Sequence, residues 1–361
     1  MKELTTRQSL MLVFLSATAS KFFMLPSNLL SKGGHDSVYL MFIFFIIEVL
    51  IIMTVVRIAT KFPNKTINQL MVETFGNFYA GFINISFFVF FMLKSILNFS
   101  ETYSFFLGTL YDEISPFVYA VPLFLVAYMA ISQGLRTIGR TTELLFFPII
   151  FGLSVSMIIG VSSIDFSNLL PVFADGLSTP FEQVQKNMLW FGDFFVFLFF
   201  FKNVKFDKTY CKKIFFTFLS AVLVIISFFL IFHCLYPYSA EFHRYAISEM
   251  TQSTPNLTNL GRIDWLTIMI WTIASIIQTI IFMYCALESF INFTHIKNRR
   301  LSAFITIIIL GASIFIFNAN VQEVSLIFQS TLRWIFVYLL IGSFTLLPLN
   351  VYFYKKKVRK K

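Results

Sequence analysis

The sequence predicts an all-α polytopic membrane protein: ten transmembrane helices in two five-helix halves of inverted orientation, with helices 1 and 6 interrupted. Three observations predict it: an apolar composition, a one-sided distribution of basic residues, and polar interruptions at matching depth in the first and sixth apolar runs. Hydrophobic residues make up 57% of the 361 and charged residues 13%, with a mean hydropathy of +0.78. Soluble domains carry about a quarter charged residues, so this chain belongs in lipid. The formal net charge of +10 does not point to nucleic acid, because the basic residues sit in short loops between apolar runs. Cys211, Cys234 and Cys285 are scattered without a CxxC pair, and the four histidines are isolated. No disulfide framework, metal site or cofactor follows from them.

A helix needs about 20 residues to cross roughly 30 Å of hydrocarbon. Runs of that order lie at 8–30, 36–58, 80–110, 116–133, 142–164, 186–202, 213–236, 264–291, 301–319 and 326–353. The third is long enough to tilt or protrude. With the N-terminus in the cytoplasm, the outer segments hold only Lys32, Lys186, Arg244, Arg262 and Arg333, while Lys21 and Lys94 lie within spans. The rest of the 28 basic residues face inward, six of them in the tail "YKKKVRKK". That asymmetry puts both ends inside and supports an even number of spans. The segment "ATAS" resembles a signal-peptidase site, but the preceding "SLMLVFL" is minimal and the apolar run resumes at once, so a membrane span is the preferred reading.

Between spans two and three, "FPNKTINQLMVETFGNF" sets Ile67, Leu70, Met71 and Phe75 at helical spacing against Asn68, Gln69 and Glu73. This reads as a short interfacial helix on the cytoplasmic face. The outer segments 165–185 and 237–262, rich in Pro, Asn and Ser, are solvated loops or caps over an external vestibule. Residues 1–361 then form a single transmembrane domain with no soluble domain at either end. Its first half is about 8–164, its second about 186–353, and 354–361 is a basic cytoplasmic tail.

Ionisable residues at mid-span cost several kcal/mol unless paired or hydrated, which makes each a functional candidate. Lys21 in span 1, Glu48 in span 2, Lys94 in span 3 and Asp193 in span 6 all fall near the bilayer middle. Two basic and two acidic groups allow a neutral buried network. Glu101 follows Lys94 on the same helical face, about 10 Å further out, accompanied by Asn98 and Tyr103. Lys21, Lys94, Glu101 and Asp193 are candidates for ion coupling or for a buried charge network; the alternative is structural ion pairs that hold helices together. For Glu48, with apolar neighbours all round, the structural reading is preferred.

The run "SATASKFFMLPS", Ser16 to Ser27, puts Ser16, Ala17, Thr18, Ala19 and Ser20 before a lysine and a proline. Small residues let a helix unwind and bring its backbone close to a ligand, or simply allow close helix packing. Span 6 tips the balance towards a cavity. In "LWFGDFF", Gly192 stands beside Asp193 in the middle of an apolar run, following Phe191. Spans 1 and 6 are five apart and cross in opposite directions. Two inverted halves, each opening with an interrupted helix, is the pattern of one transporter architecture, with the ligand between the breaks. At the mouth of span 5, Arg140 and Glu143 share a helix face and can pair with each other or with another helix.

The sequence resembles the B-subunits of the Ger-type spore germinant receptors, the endospore germination permeases of the amino acid/polyamine/organocation transporter superfamily. The resemblance runs along nearly the whole chain: "TTRQSLML" at the start, "LPS" at Leu25–Ser27, "KFPNKTINQLM" at Lys61–Met71, "GLRTIGRTTELLFFPII" at Gly134–Ile150, "NLLPVFADG" at Asn168–Gly176 and "FGDFFVF" at Phe191–Phe197. "GRIDWL" near Gly261 is a weaker match. The block with Arg140, Glu143 and Pro148 is the most specific. The resemblance implies ten spans in the leucine-transporter fold and a nutrient site at the unwound parts of spans 1 and 6. Carried onto this chain, that site involves Ser16 to Ser20 and Phe191 to Asp193. It also implies an A-subunit and a lipoprotein C-subunit as partners in the spore inner membrane. A membrane enzyme, such as a lipid-linked transferase, would need clustered catalytic Asp or His on a loop, and the sequence shows none. A glycine would be usual at the first break and an apolar residue at Lys21, where the ammonium can take the place of a coupling cation. Two functions share such a fold: a nutrient-sensing receptor subunit, with an amino acid as ligand, and a proton-coupled amino acid permease.

Overall fold

The computed structural model describes residues 4–317 apart from 34–35, 63–64, 110–113, 163, 171–175, 188–189, 205–208, 238, 241 and 253–262, together with 320, 323 and 339. The tenth expected span, 326–353, and the tail 354–361 lie outside the described residues. Among the described residues every regular element is helical. The chain runs α1 (Thr6–Thr18), α2 (Leu25–Gly33), α3 (Asp36–Lys61), α4 (Ile67–Phe75), α5 (Asn77–Thr109), α6 (Pro116–Gln133), α7 (Leu135–Val161), α8 (Ser178–Lys186), α9 (Val196–Phe200), α10 (Tyr210–Leu235), α11 (Ala246–Gln252), α12 (Ile263–Thr294) and α13 (Arg299–Ile316).

The helices begin where side chains satisfy the first backbone N–H groups. Thr5 and Gln8 form a reciprocal capping box at α1, and Thr66 and Gln69 form another at α4. Asn298 accepts from the N–H groups of Arg300 and Leu301 to start α13. Gly134, at φ 96°, ends α6 and begins α7 with no loop between them. Hence α7 starts seven residues before the apolar run that predicted it, because hydropathy marks where lipid begins rather than where helical hydrogen bonds begin. The short helix expected between spans two and three is present as α4, with Ile67, Leu70 and Met71 buried.

Among the described residues, seven helices are long and apolar enough to cross a membrane: α3, α5, α6, α7, α10, α12 and α13. Their burial separates centre from rim. The apolar windows of α5 and α12 are 72% and 78% buried, against 22% for α6, and α5 packs along α12 as the central pair. On α6 and α7, Val118, Val121, Leu125, Leu144, Phe151 and Ile158 are exposed. Such a surface fits lipid, where outward apolar side chains carry no penalty.

The first and sixth expected spans are each broken. Residues 6–33 form α1 and α2 around a 3₁₀ turn, Ala19–Phe22, and the stretch from 178 contains α8, a 3₁₀ turn at Asp193–Phe195, and the short α9. Of the two readings of the outer segment 165–185, solvated loop or cap, a solvated loop does not hold for its last part. That part is helix α8, with Pro180, Gln183 and Val184 buried and packed against α2 and α3. The polar sequence "STPFEQVQK" hid this, since a helix buried by protein needs no lipid-grade hydropathy. At the other end of the two broken elements, the Leu4 N–H donates to Asn203 O at 2.6 Å, tying the start of α1 to the chain just after α9.

Candidate functional site

The first break lies slightly later than the small-residue run. Ser16, Ala17 and Thr18 are still helical, and the hydroxyls of Ser16 and Thr18 donate to their own helix, to Val13 O and Phe14 O. Unwinding starts at Ala19 and runs to Phe23, whose ψ of −94° is far from helical. The carbonyls this releases are met from elsewhere. Gln278 Nε2 donates to Ser16 O at 2.7 Å and to Ser20 Oγ at 3.3 Å, and Trp271 Nε1 donates to Ala19 O at 3.1 Å. Lys21 Nζ turns back to Ala17 O at 2.8 Å, and the Ala246 N–H donates to Phe23 O at 3.1 Å. Buried carbonyls must be satisfied wherever a helix opens in a low-dielectric interior.

The second break turns on Gly192, which sits in the left-handed region at φ 82°, ψ 17°. A residue with a Cβ is disfavoured there. The Gly192 N–H, with no helical acceptor, donates to Glu48 Oε1. Next to it, Asp193 Oδ2 accepts from Lys21 Nζ and Asp193 Oδ1 from Lys94 Nζ. One carboxylate from the second break therefore joins a lysine of the first break to a lysine of α5. Lys21, Lys94, Asp193 and Glu48 are all at most 3% exposed, and two ammonium groups face two carboxyl groups. Lys94 also lies 5.0 Å from the ring centre of Phe282 and 5.6 Å from that of Phe90, and Lys21 lies 5.9 Å from Phe191. Ring faces attract cations, most strongly where water is excluded.

Glu101 stands apart from this cluster, on the side of the breaks towards α2. Trp190 Nε1, just before the second break, donates to Glu101 Oε1 at 2.9 Å. The Met24 backbone N–H, just after the first break, interacts with the same carboxyl group. Glu101 is fully buried, and among the described residues its Oε2 has no hydrogen-bond partner. Nearby, Asn98 Nδ2 donates to Ser275 O and Thr279 Oγ1, tying α5 to α12, and the Tyr103 hydroxyl donates to Ile114 O.

Of the residues singled out in the sequence, Lys21, Lys94, Asp193, Phe191 and Gly192 meet in one place with Glu48. Glu48, expected to be structural, holds the second break by accepting from the Gly192 N–H. Arg140 and Glu143 do not pair with each other. Glu143 reaches α1, accepting from Gln8 Nε2 at 2.9 Å and from Arg7 Nε at 3.3 Å, while Arg140 and Pro148 are exposed. Pro148 lies inside α7, where it withholds an N–H from the carbonyl one turn back. Trp190, Trp271 and Gln278 join the site without having been expected there. The last two are seven residues apart on one face of α12, and a glutamine and an indole in an apolar helix were the signal available.

A family of spore germination proteins, the spore permeases, matches residues 3–322. The chain belongs to this family. Compared with the curated proteins, it finds no match. The spore permeases are transporter-like membrane proteins, so the chain is an integral membrane protein with a role in germination.

Proposed function

We propose that this spore permease is the nutrient-sensing membrane subunit of a germinant receptor, with a small nutrient, an amino acid first among candidates, bound between the two helix breaks. One observation carries the reading: two broken helices face each other across Asp193, at the depth where the chain also concentrates its buried charges. Broken helices present half-helix dipoles to a ligand, each worth a few tenths to about 1 kcal/mol. In this reading Ser16 to Ser20 and Phe191 to Asp193 line the cavity, and the chain has ten spans in two inverted halves with both ends in the cytoplasm. Its partners are an A-subunit and a lipoprotein C-subunit in the spore inner membrane. The closed arrangement fits a resting sensor, since Phe22, Phe23, Phe191 and Phe194 are at most 1% exposed.

The Lys21–Asp193–Lys94 cluster favours a second reading, a proton-coupled amino acid permease that moves its ligand. Uptake of labelled amino acids into vesicles carrying the purified protein decides between the two: accumulation argues for the permease, binding without accumulation for the sensor. The site itself is tested by bulk. Thr18→Trp and Gly192→Leu are expected to abolish the nutrient response at normal protein level, read from germination dose–response curves. Normal sensitivity in both variants places the cavity elsewhere.

A further inference from the structure

We propose that an anionic phospholipid binds in a groove between α1, α7 and α10, with its headgroup phosphate on Arg7 and Lys213 and an acyl chain along the apolar walls. The site is separate from the nutrient cavity and stands whether or not a ligand binds between the breaks.

The groove is a cavity of about 630 Å³ walled by one stripe from each helix. Leu10 and Phe14 come from α1, Ile150, Leu153 and Met157 from α7, and Val224 from α10. Spacings of three and four residues put each set on a single helix face. The wall hydroxyls do not make the groove polar, because Ser154 donates to Ile150 O and Ser220 to Thr217 O within their own helices. Ser154 and Ser220 are exposed, as are Phe151 and Leu223 on the same helices, so the groove opens on the apolar outer surface. Such a lining offers water few partners and suits a hydrocarbon chain.

Charge and depth identify the occupant. Among the described residues on the walls, the charged ones are Arg7 and Lys213, and both stand at one end, where α1 and α10 begin. The Arg7 side chain is 57% exposed and meets Glu143 through Nε at 3.3 Å. A guanidinium has further N–H donors beyond Nε, which suit phosphate oxygens. From Lys213 to Val224 the α10 wall advances about 16 Å at 1.5 Å per residue. That is half of the roughly 30 Å of hydrocarbon, the depth of one leaflet. A basic mouth above one leaflet's depth of apolar wall complements an anionic phospholipid, and clustered Lys and Arg at a membrane surface attract such headgroups. A transmembrane helix of a partner would need a wall through both leaflets. The lipid lies against α1, the helix that leads into the first break, and braces it against α7 and α10.

The test follows lipid binding to the purified full-length chain in detergent by native mass spectrometry. The probes are phosphatidylglycerol, phosphatidylcholine and inorganic phosphate. Phosphatidylglycerol is expected to bind about tenfold more tightly than phosphatidylcholine, and inorganic phosphate, which has no chain, is expected not to displace it. Lys213→Gln weakens phosphatidylglycerol about fivefold and leaves phosphatidylcholine unchanged. Lys212→Gln has no effect, since that side chain lies over the Phe216 ring, outside the groove. Arg7→Lys keeps the preference for the anionic lipid and Arg7→Gln reduces it. Ile150→Trp fills the groove and removes phosphatidylglycerol binding; Leu10→Trp does the same from the α1 wall if the first variant unfolds. Equal binding of the two lipids overturns the proposal. So does equal loss in Lys212→Gln and Lys213→Gln, which marks diffuse surface charge, and displacement by inorganic phosphate, which marks a simple anion site. Binding unchanged in the tryptophan variants also overturns it, placing the lipid elsewhere and leaving the groove to a protein segment.

Discussion

The two breaks do the same mechanical job by opposite means. The second is written into the local sequence: Gly192 takes a left-handed conformation that few other residues tolerate, and the chain turns there. The first contains no glycine. Ala19 and Phe23 leave the helix because Gln278, Trp271, Lys21 and the Ala246 N–H stand ready for the carbonyls set free. A break can therefore be encoded by the residue that bends or by distant residues that reward the bend. Asp193 then joins the two, since it belongs to the glycine-made break and binds the lysine of the partner-made one.

The largest effect is expected where the two breaks meet. Asp193→Asn leaves two buried ammonium groups facing a neutral amide, and removing one side of a buried ion pair costs about 3–5 kcal/mol. The unfolding temperature in detergent and the amount of protein reaching the membrane should both fall sharply. Lys21→Met is expected to cost less, because Lys94 still matches Asp193, and to weaken the response to every ligand without changing which is preferred. Equal stability of Asp193→Asn and wild type would show that the bridge does not couple the breaks.

A smaller effect separates the two mechanisms. Gln278→Leu removes the donor for Ser16 O and is expected to cost about 1–3 kcal/mol, the penalty for stranding a buried acceptor. Hydrogen exchange should then rise at residues 16–24 and stay unchanged at 190–196. If both segments loosen together, the breaks form one cooperative unit and the contrast between them fails. The smallest effect belongs to Gly192→Ala. A Cβ in the left-handed region costs about 1–2 kcal/mol, so this variant should loosen 190–196 and leave 16–24 protected, the mirror image of Gln278→Leu.

These differences explain what was legible in advance. Span limits for α3, α6, α10 and α12 could be read from hydropathy because those helices are bounded by charged or capping residues. The capping boxes at Thr5 and Thr66 are equally local. The N-terminal edge of α7 and the helical nature of α8 were not legible. Each runs through residues that look like loop and is stabilised by packing or by a single glycine hinge. At the candidate site, Lys21, Lys94 and Asp193 announced themselves because a charge in an apolar run has few excuses. Trp190 did not, since an indole in such a run is ordinary until its N–H is seen to reach a carboxyl group.

The sequence alone determined the membrane class, most of the spans, the interruption at Gly192 and the presence of buried charges, because each depends on residue type and short-range spacing. Only the tertiary structure decided which charges pair, that Glu143 turns to α1 rather than to Arg140, and where the first break falls. Those outcomes depend on partners as far as 262 positions away along the chain, as Gln278 is from Ser16. A carbonyl leaves its helix only where some other donor meets it, and no local pattern in the sequence records where that donor stands.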